Sequence, residues 1–300
     1  ITGREASEKI SEMLKYGTDV VAGVTPGKGG QEVEGVPVYD TVEEALNQHP
    51  EINTSLIYVP PFAAKDAVLE ALEKGIKTLN VITERIPTRD TWKIYQRVEE
   101  EDATMVGPTS VGIITPGECK LGPIGGNEPE KVYRPGKVGV ISKSGGMTTE
   151  TSWVIRQAGF GISTALGLGG DVIAGTTFED ALKLFEEDDQ TEAVVMFGEL
   201  GGTYEEKAAE LVAEDEFSKP LVAYITGRFT ESMPEKKYGH AGAIIRGDRG
   251  KPSHKKKALE EAGVYVADVH HQIGDVLKEV MGKGSYALPI NWCLGAKFLE

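Results

Sequence analysis

The sequence predicts an α/β protein built as two parallel-sheet units in tandem. Three observations support this. Short β-branched runs alternate with amphipathic stretches along the chain. A stretch rich in Gly, Pro and polar residues, 122–136, separates two such series. The residues suited to chemistry fall in loops that follow strands, where open parallel sheets bind ligands.

Taken in order, residues 1–3 read as a loop leaving a strand, so a strand is expected before Ile1. Ala6, Ile10, Met13 and Leu14 share one face at helical spacing. Residues 20–24 read as a strand, and 56–59 as another, stopped by Pro60-Pro61. Residues 62–74 form an amphipathic helix closed by Gly75. A strand at 78–82, a helix at 90–101 and a strand at 104–106 complete the first series. The second runs strand 138–141, helix 146–157, strand 162–166, helix 178–186, strand 193–197, helix 204–212 and strand 221–225. Helix 255–262, strand 264–266 and helix 273–281 finish it. The expected division is a domain over 1–125, a linker over 126–136, a domain over 137–282 and a tail over 283–300 that fits no unit.

Composition narrows the function. Three hundred residues bury a substantial core. The net charge of −15 argues against nucleic acid as a partner, and it obliges any anionic ligand to find local helix N-termini, Lys or Arg. Cys119 and Cys293 make no metal-ligand pattern, which suits a reducing, cytoplasmic setting. No apolar run approaches the ~20 residues of a membrane span, so no membrane is expected as a partner.

The loops hold the chemistry. In Gly239-His240-Ala241-Gly242-Ala243-Ile244-Ile245 one imidazole stands among small residues, after a mixed-charge loop over 231–237. A neutral imidazole can carry a transferred phosphoryl group; a structural histidine at a crowded turn is the plainer reading. Glu199, in Gly198-Glu199-Leu200-Gly201-Gly202, ends an apolar strand and is suited to fix an imidazole tautomer; a solvated strand-end charge is the alternative. Ser142-Lys143-Ser144-Gly145-Gly146 stands between a strand and a helix, a ready anion site or an ordinary N-cap. Thr25-Pro26-Gly27-Lys28-Gly29-Gly30 offers backbone amides and a cation, but lacks the P-loop spacing. No Gly-x-Gly-x-x-Gly follows a first strand, which weighs against a nicotinamide dehydrogenase. His270-His271 read as a surface pair with no further metal ligand at a suitable spacing.

Together these loops resemble the α-type subunit of the nucleoside-diphosphate-forming acyl-CoA synthetases, the succinate–CoA ligase superfamily. The resemblance runs through Thr2-Gly3-Arg4-Glu5, residues 23–30, Ile57-Tyr58-Val59-Pro60, Ile82-Thr83-Glu84-Arg85-Ile86-Pro87, Ile114-Thr115-Pro116-Gly117-Glu118-Cys119-Lys120, Gly169-Gly170-Asp171, the Glu199 loop and the His240 motif, in order. It implies a Rossmann-like CoA-binding domain followed by a flavodoxin-like ligase domain. It also implies an ATP-grasp β-type partner in a hetero-oligomer, holding ATP and Mg2+. CoA would lie against Thr2, Gly3, Arg4, Glu5, Pro26, Lys28, Tyr58, Val59, Pro60, Ile82, Thr83 and Glu84. His240 would be the phosphohistidine and Glu199 its orienting carboxylate. Ser142, Ser144, Gly145, Gly146 and Thr149 would hold phosphoryl group and acid.

The acid is the point of departure. The succinate enzymes carry Ser-Gly-Thr-Leu-Thr-Tyr-Glu where this chain has Ser144-Gly145-Gly146-Met147-Thr148-Thr149-Glu150. Thr149 in place of tyrosine leaves room and a hydroxyl, which suits a larger, more polar acid. That stretch, with Tyr133-Arg134-Pro135-Gly136 and residues 107–112, resembles the citrate-acting branch, citryl-CoA synthetase and ATP-citrate lyase. Citryl-CoA formation is therefore the expectation and succinyl-CoA formation the alternative. A CoA-binding sensor that has lost the chemistry is the reading from another class.

Overall fold

The computed structural model describes residues 1–232, 240–243 and 250–282. Gly239, Ile244, Ile245, most of the mixed-charge loop, Cys293 and the 283–300 segment lie outside the described residues. The first half holds α1 (Arg4–Tyr16), β1 (Gly23–Val24), β2 (Glu32–Val33), β3 (Val36–Tyr39), α2 (Val42–Gln48), β4 (Thr54–Ile57), α3 (Pro61–Glu73), β5 (Thr78–Val81), α4 (Thr88–Glu100) and β6 (Thr104–Val106). The order β4-β5-β6 is a parallel sheet, and β1-β3-β2 is a second small sheet. Val68, Leu72, Leu79, Val81, Ile94 and Val98 pack one core between β5 and its helices. The α2 helix, at seven residues, and the β2–β3 hairpin, with strands of two and four, are too short to show in the sequence pattern.

The hairpin β7 (Gly112–Thr115) and β8 (Cys119–Leu121) belongs to the second sheet, although the sequence reading placed these residues with the first half. Then come β9 (Pro135–Ser142), α5 (Gly145–Gln157), β10 (Ile162–Gly167), α6 (Phe178–Glu187), β11 (Ala193–Gly198), α7 (Tyr204–Ala213), β12 (Leu221–Ile225), α8 (Pro252–Glu261), β13 (Tyr265–Val266) and α9 (Ile273–Met281). The seven strands lie in the order β13-β12-β11-β9-β10-β7-β8, with β9 to β13 mutually parallel and β7 antiparallel to β10. All six residues of β11 are buried, as a central parallel strand requires.

Alternate strand residues feed two cores. Ile141, Val194, Met196 and Ala223 meet Phe178, Leu182, Phe185, Leu211 and Leu259 of α6, α7 and α8 on one face. Val138, Val140, Val195 and Val222 meet Ile155, Ile273 and Leu277 of α5 and α9 on the other. Thr177 starts α6 through a capping box: its hydroxyl accepts from the Asp180 N–H at 3.3 Å, and the Asp180 carboxylate accepts from the Thr177 N–H at 2.8 Å. The chain leaves β9 first to one side and then to the other. That is a topological switch, so a crevice opens beyond the carboxyl ends of β9 and β11.

Two polar stitches set the halves against this crevice. The Asn80 amide donates to Ser110 Oγ at 2.9 Å, and Ser110 Oγ donates to the Gly167 carbonyl at 2.7 Å. Thr109 Oγ1 donates to Asp171 Oδ2 at 2.7 Å. Behind them the buried Lys120 ammonium pairs with Glu12 Oε2 at 3.1 Å, tying β8 to α1.

Candidate active site

Beyond the strand ends lies one cleft of about 930 Å³ lined from both halves of the chain. One wall is Gly3, Arg4, Glu5, Tyr58, Val59, Pro60, Ile82, Thr83 and Glu84; the other is Ser144, Gly145, Gly146 and His240. These are thirteen of the residues singled out from sequence, now around one space. The Thr83 hydroxyl donates to the Val59 carbonyl at 2.8 Å and so joins the loops after β4 and β5. Thr2, Pro26 and Lys28 do not line the cleft. Lys28 and Pro26 are exposed, and the Lys28 ammonium donates to Thr2 Oγ1 at 3.0 Å.

The wall of the second half is built on the end of β9. Ser142 is fully buried and faces its own turn: its hydroxyl donates to the Ser144 carbonyl at 2.9 Å and accepts from the Ser144 N–H at 3.1 Å. It shapes the loop and does not itself line the cleft. Ser144 caps α5, accepting from the Met147 N–H. The Gly145 and Gly146 N–H groups open the helix, where a backbone amide has no partner within the helix, so they present donors and a positive dipole end.

Thr149 does not reach this cleft. It lies past the first turn of α5, with Oγ1 3.0 Å from the buried Tyr133 phenol. The Thr149 side chain therefore makes no contact in the cleft that would select a larger acid; the open position is Gly146, where a Cβ would meet nothing within 4 Å.

His240 is held from three sides. Its Nδ1 lies 2.7 Å from Glu199 Oε2. Its ring lies over Gly170, where a Cβ would stand 2.4 Å from His240 Cγ, so only glycine fits. The Gly242 N–H donates to the Gly170 carbonyl at 3.1 Å, closing the turn. Glu199 is 7% exposed and directly follows β11, as its place after an apolar strand predicts. The hydrogen bond that His240 makes to Glu199 raises the His240 pKa above its ordinary value, against burial, which lowers it. With Nδ1–H committed to Glu199, Nε2 carries the lone pair, which is the arrangement of an imidazole nucleophile.

Thr109, Ser110, Val111 and Gly170, which carry the resemblance in sequence but no role there, also line the cleft, as does Lys143. Lys143 is buried and pairs with Glu205 Oε1 at 3.1 Å. Glu205 reads in sequence as one more acidic residue in a helix's first turn, and only the fold shows it buried. His270 is no free surface pair with His271: its Nε2 lies 3.0 Å from Thr151 Oγ1, and its ring packs edge-on to Phe197 and Tyr224. Among the described residues, no group of three His, Cys, Asp or Glu side chains is placed to hold a metal ion, and no helix is long and apolar enough to cross a membrane.

Two families match successive parts of the chain. Residues 1–85 match the CoA binding domain family and residues 141–265 the CoA-ligase family. The chain is 48% identical over 282 residues to succinate–CoA ligase [ADP-forming] subunit alpha 2 of Archaeoglobus fulgidus, covering 94% of this chain and 95% of that one. It is 45% identical to a subunit of the ADP-forming sulfoacetate-CoA ligase of Acholeplasma sp, with 93% of each covered. Among solved structures, ATP citrate lyase of Methanosaeta concilii in complex with (3S)-citryl-CoA superposes with a TM-score of 0.86 at 28% identity over 93% of this chain. The chain spans 48% of that larger protein.

Proposed function

Because this chain belongs to the α-subunit family of the succinate–CoA ligases, which are ATP-dependent CoA ligases with a CoA-binding domain followed by a CoA-ligase domain, we propose that it relays a phosphoryl group through His240 to a carboxylic acid and then joins the acyl group to CoA. The observation that supports this most directly is the single cleft: His240, oriented by Glu199, opens into the space lined by the CoA-binding half.

The proposed steps use the groups around the cleft as follows. His240 Nε2 attacks the γ-phosphorus of a nucleotide presented by an ATP-grasp partner; the N–P bond forms and ADP leaves. Phosphorylation at Nε2 with Nδ1 still protonated gives the ring a positive charge, which the Glu199 carboxylate faces. A carboxylate oxygen of the acid then attacks phosphorus, forming an acyl phosphate and returning the lone pair to Nε2. The Gly145 and Gly146 amides face the phosphoryl oxygens throughout. CoA sulfur, brought in from the Gly3–Glu5, Tyr58–Pro60 and Ile82–Glu84 wall, attacks the acyl carbon and phosphate leaves. Nucleotide and Mg2+ would be held mainly by the ATP-grasp partner.

Succinate is the first acid to consider, because relatives at 46–48% identity are succinate–CoA ligase α subunits. Citrate is the second reading, favoured by the open Gly146 position and by the likeness to ATP citrate lyase. The sulfoacetate-CoA ligase subunit, at 45%, shows that this level of identity spans different acids. The test is ADP release by the chain assembled with its partner, given CoA and each acid in turn. Turnover with succinate supports the first reading and turnover with citrate alone the second; silence with both overturns the pair.

A further inference from the structure

Beneath the cleft lies a buried charge cluster that the relay as described does not use. Glu205, in the first turn of α7, has no solvent exposure. Two ammonium groups converge on its carboxylate: Lys143 from the β9–α5 loop at 3.1 Å, and Lys255 from α8 in direct contact. Lys255 is itself fully buried and donates to the Gly201 carbonyl at 2.6 Å. Glu206 lies 3.8 Å from Lys255 and 3.6 Å from His254 Nδ1, so the cluster holds two lysines, two carboxylates and a histidine.

A buried ion cluster is a weak stabiliser, since desolvation offsets most of the attraction. Its cost calls for a use, and the geometry supplies one. Glu205 Oε1 accepts the backbone N–H of Glu199 at 3.0 Å. The carboxylate of Glu199 in turn holds His240 Nδ1 at 2.7 Å. The same Glu205 carboxylate anchors Lys143, which lines the cleft beside Ser144 and His240. One buried carboxylate thus connects the phosphate-binding loop, the Glu199 loop and α8.

We propose that Glu205 is a positioning residue of the relay: through the Glu199 main chain it sets the orientation and tautomer of the His240 imidazole, and through Lys143 it holds the loop at the start of α5. The proposal rests on His240 as the phosphoryl carrier. Burial pushes the Glu205 carboxyl up, but the Lys143 and Lys255 ammonium groups more than reverse this and keep it ionised.

The test compares three full-length variants. Glu205→Gln keeps the shape and removes the charge. Glu205→Asp keeps the charge and draws the carboxylate back by one methylene. Glu205→Gln combined with Lys255→Met removes one charge of each sign. Each is assayed for CoA affinity, for His240 phosphorylation with the partner, and by 15N NMR of the histidine rings at a pH where they are neutral. Expected are an unchanged CoA affinity, a rate of phosphorylation lower by about tenfold or more in Glu205→Gln, and loss of the single Nδ1–H tautomer. Glu205→Asp recovers part of both the rate and the tautomer. A folded Glu205→Gln chain with a wild-type tautomer and rate overturns the proposal, as does a CoA affinity that falls in step with the rate. If Glu205→Gln does not fold, the double variant is held to the same criteria; if none of the three folds, the cluster is structural and the proposal fails. A tautomer change without any phosphorylation in the wild type would instead overturn the relay and leave the positioning intact.

Discussion

Replacing Glu199 by Gln removes one charge and keeps the side-chain shape. In the native chain the carboxylate stands 2.7 Å from His240 Nδ1 and is nearly buried, with 10% of its side chain exposed. A hydrogen bond between charged partners contributes about 1.5–3 kcal/mol. The carboxylate behind a metal-ligand histidine is the nearest measured analogue, and its removal typically costs about 10–100-fold, or about 1.4–2.7 kcal/mol. The His240 side chain is 37% exposed, so solvent screening places the effect in the lower half of that span. The expected loss is therefore roughly 10–30-fold in the rate of His240 phosphorylation, with CoA affinity unchanged. The pH profile moves too. Glu199 raises the His240 pKa, and the ring is nucleophilic only when neutral, so the acid limb of the rate profile shifts to lower pH in the variant. Stability follows the opposite limb. A raised folded pKa contributes stability fully below the ordinary value near 6.5 and loses it as pH rises through the folded pKa. The Tm deficit of the variant is thus larger at pH 6 than at pH 9. A variant with wild-type rate, or an acid limb shifted upward, would refute Glu199 as the orienting carboxylate.

Other perturbations separate the parts of the cleft. Gly146 has neither a positive φ nor a neighbour within 4 Å of a built Cβ, so the fold does not require glycine there. Gly146→Ala should raise Tm by roughly 2 °C, from about 0.5–1 kcal/mol of helix propensity, while slowing phosphorylation or acid use roughly tenfold; a Tm gain with full activity would remove Gly146 from the ligand path. Lys28→Ala, measured by calorimetry, should weaken CoA binding roughly fivefold, the effect of about 1 kcal/mol from an exposed charge, and leave His240 phosphorylation alone. Thr149→Val should change the preference between succinate and citrate by less than about twofold; a large change would place Thr149 on the substrate after all.

The alternation of strands and helices was legible because β11 and β12 are continuous apolar runs and helices such as α6 and α9 show a clear apolar face. The β7–β8 hairpin was not, since Gly112–Thr115 and Cys119–Leu121 are short and their sheet partner, β10, lies some fifty residues on. His240, Glu199 and the α5 start were readable because small residues and strand-end loops mark them. Lys143, Glu205 and Lys255 were not, because a charged residue in a helix's first turn looks the same in sequence whether it meets water or two buried ammonium groups. Thr149 misled for a related reason: a position on a helix is known from sequence, but the direction it faces depends on Tyr133, sixteen residues earlier.

The central claim is that His240 carries the phosphoryl group. The chain, assembled with its ATP-grasp partner and given γ-labelled ATP, is denatured in alkali and analysed for label. The expected result is label on His240 that survives alkali, is lost in acid, is absent from His240→Ala and is discharged by the cognate acid with CoA. Label retained in His240→Ala, or none in the wild-type complex that still forms acyl-CoA, would contradict it.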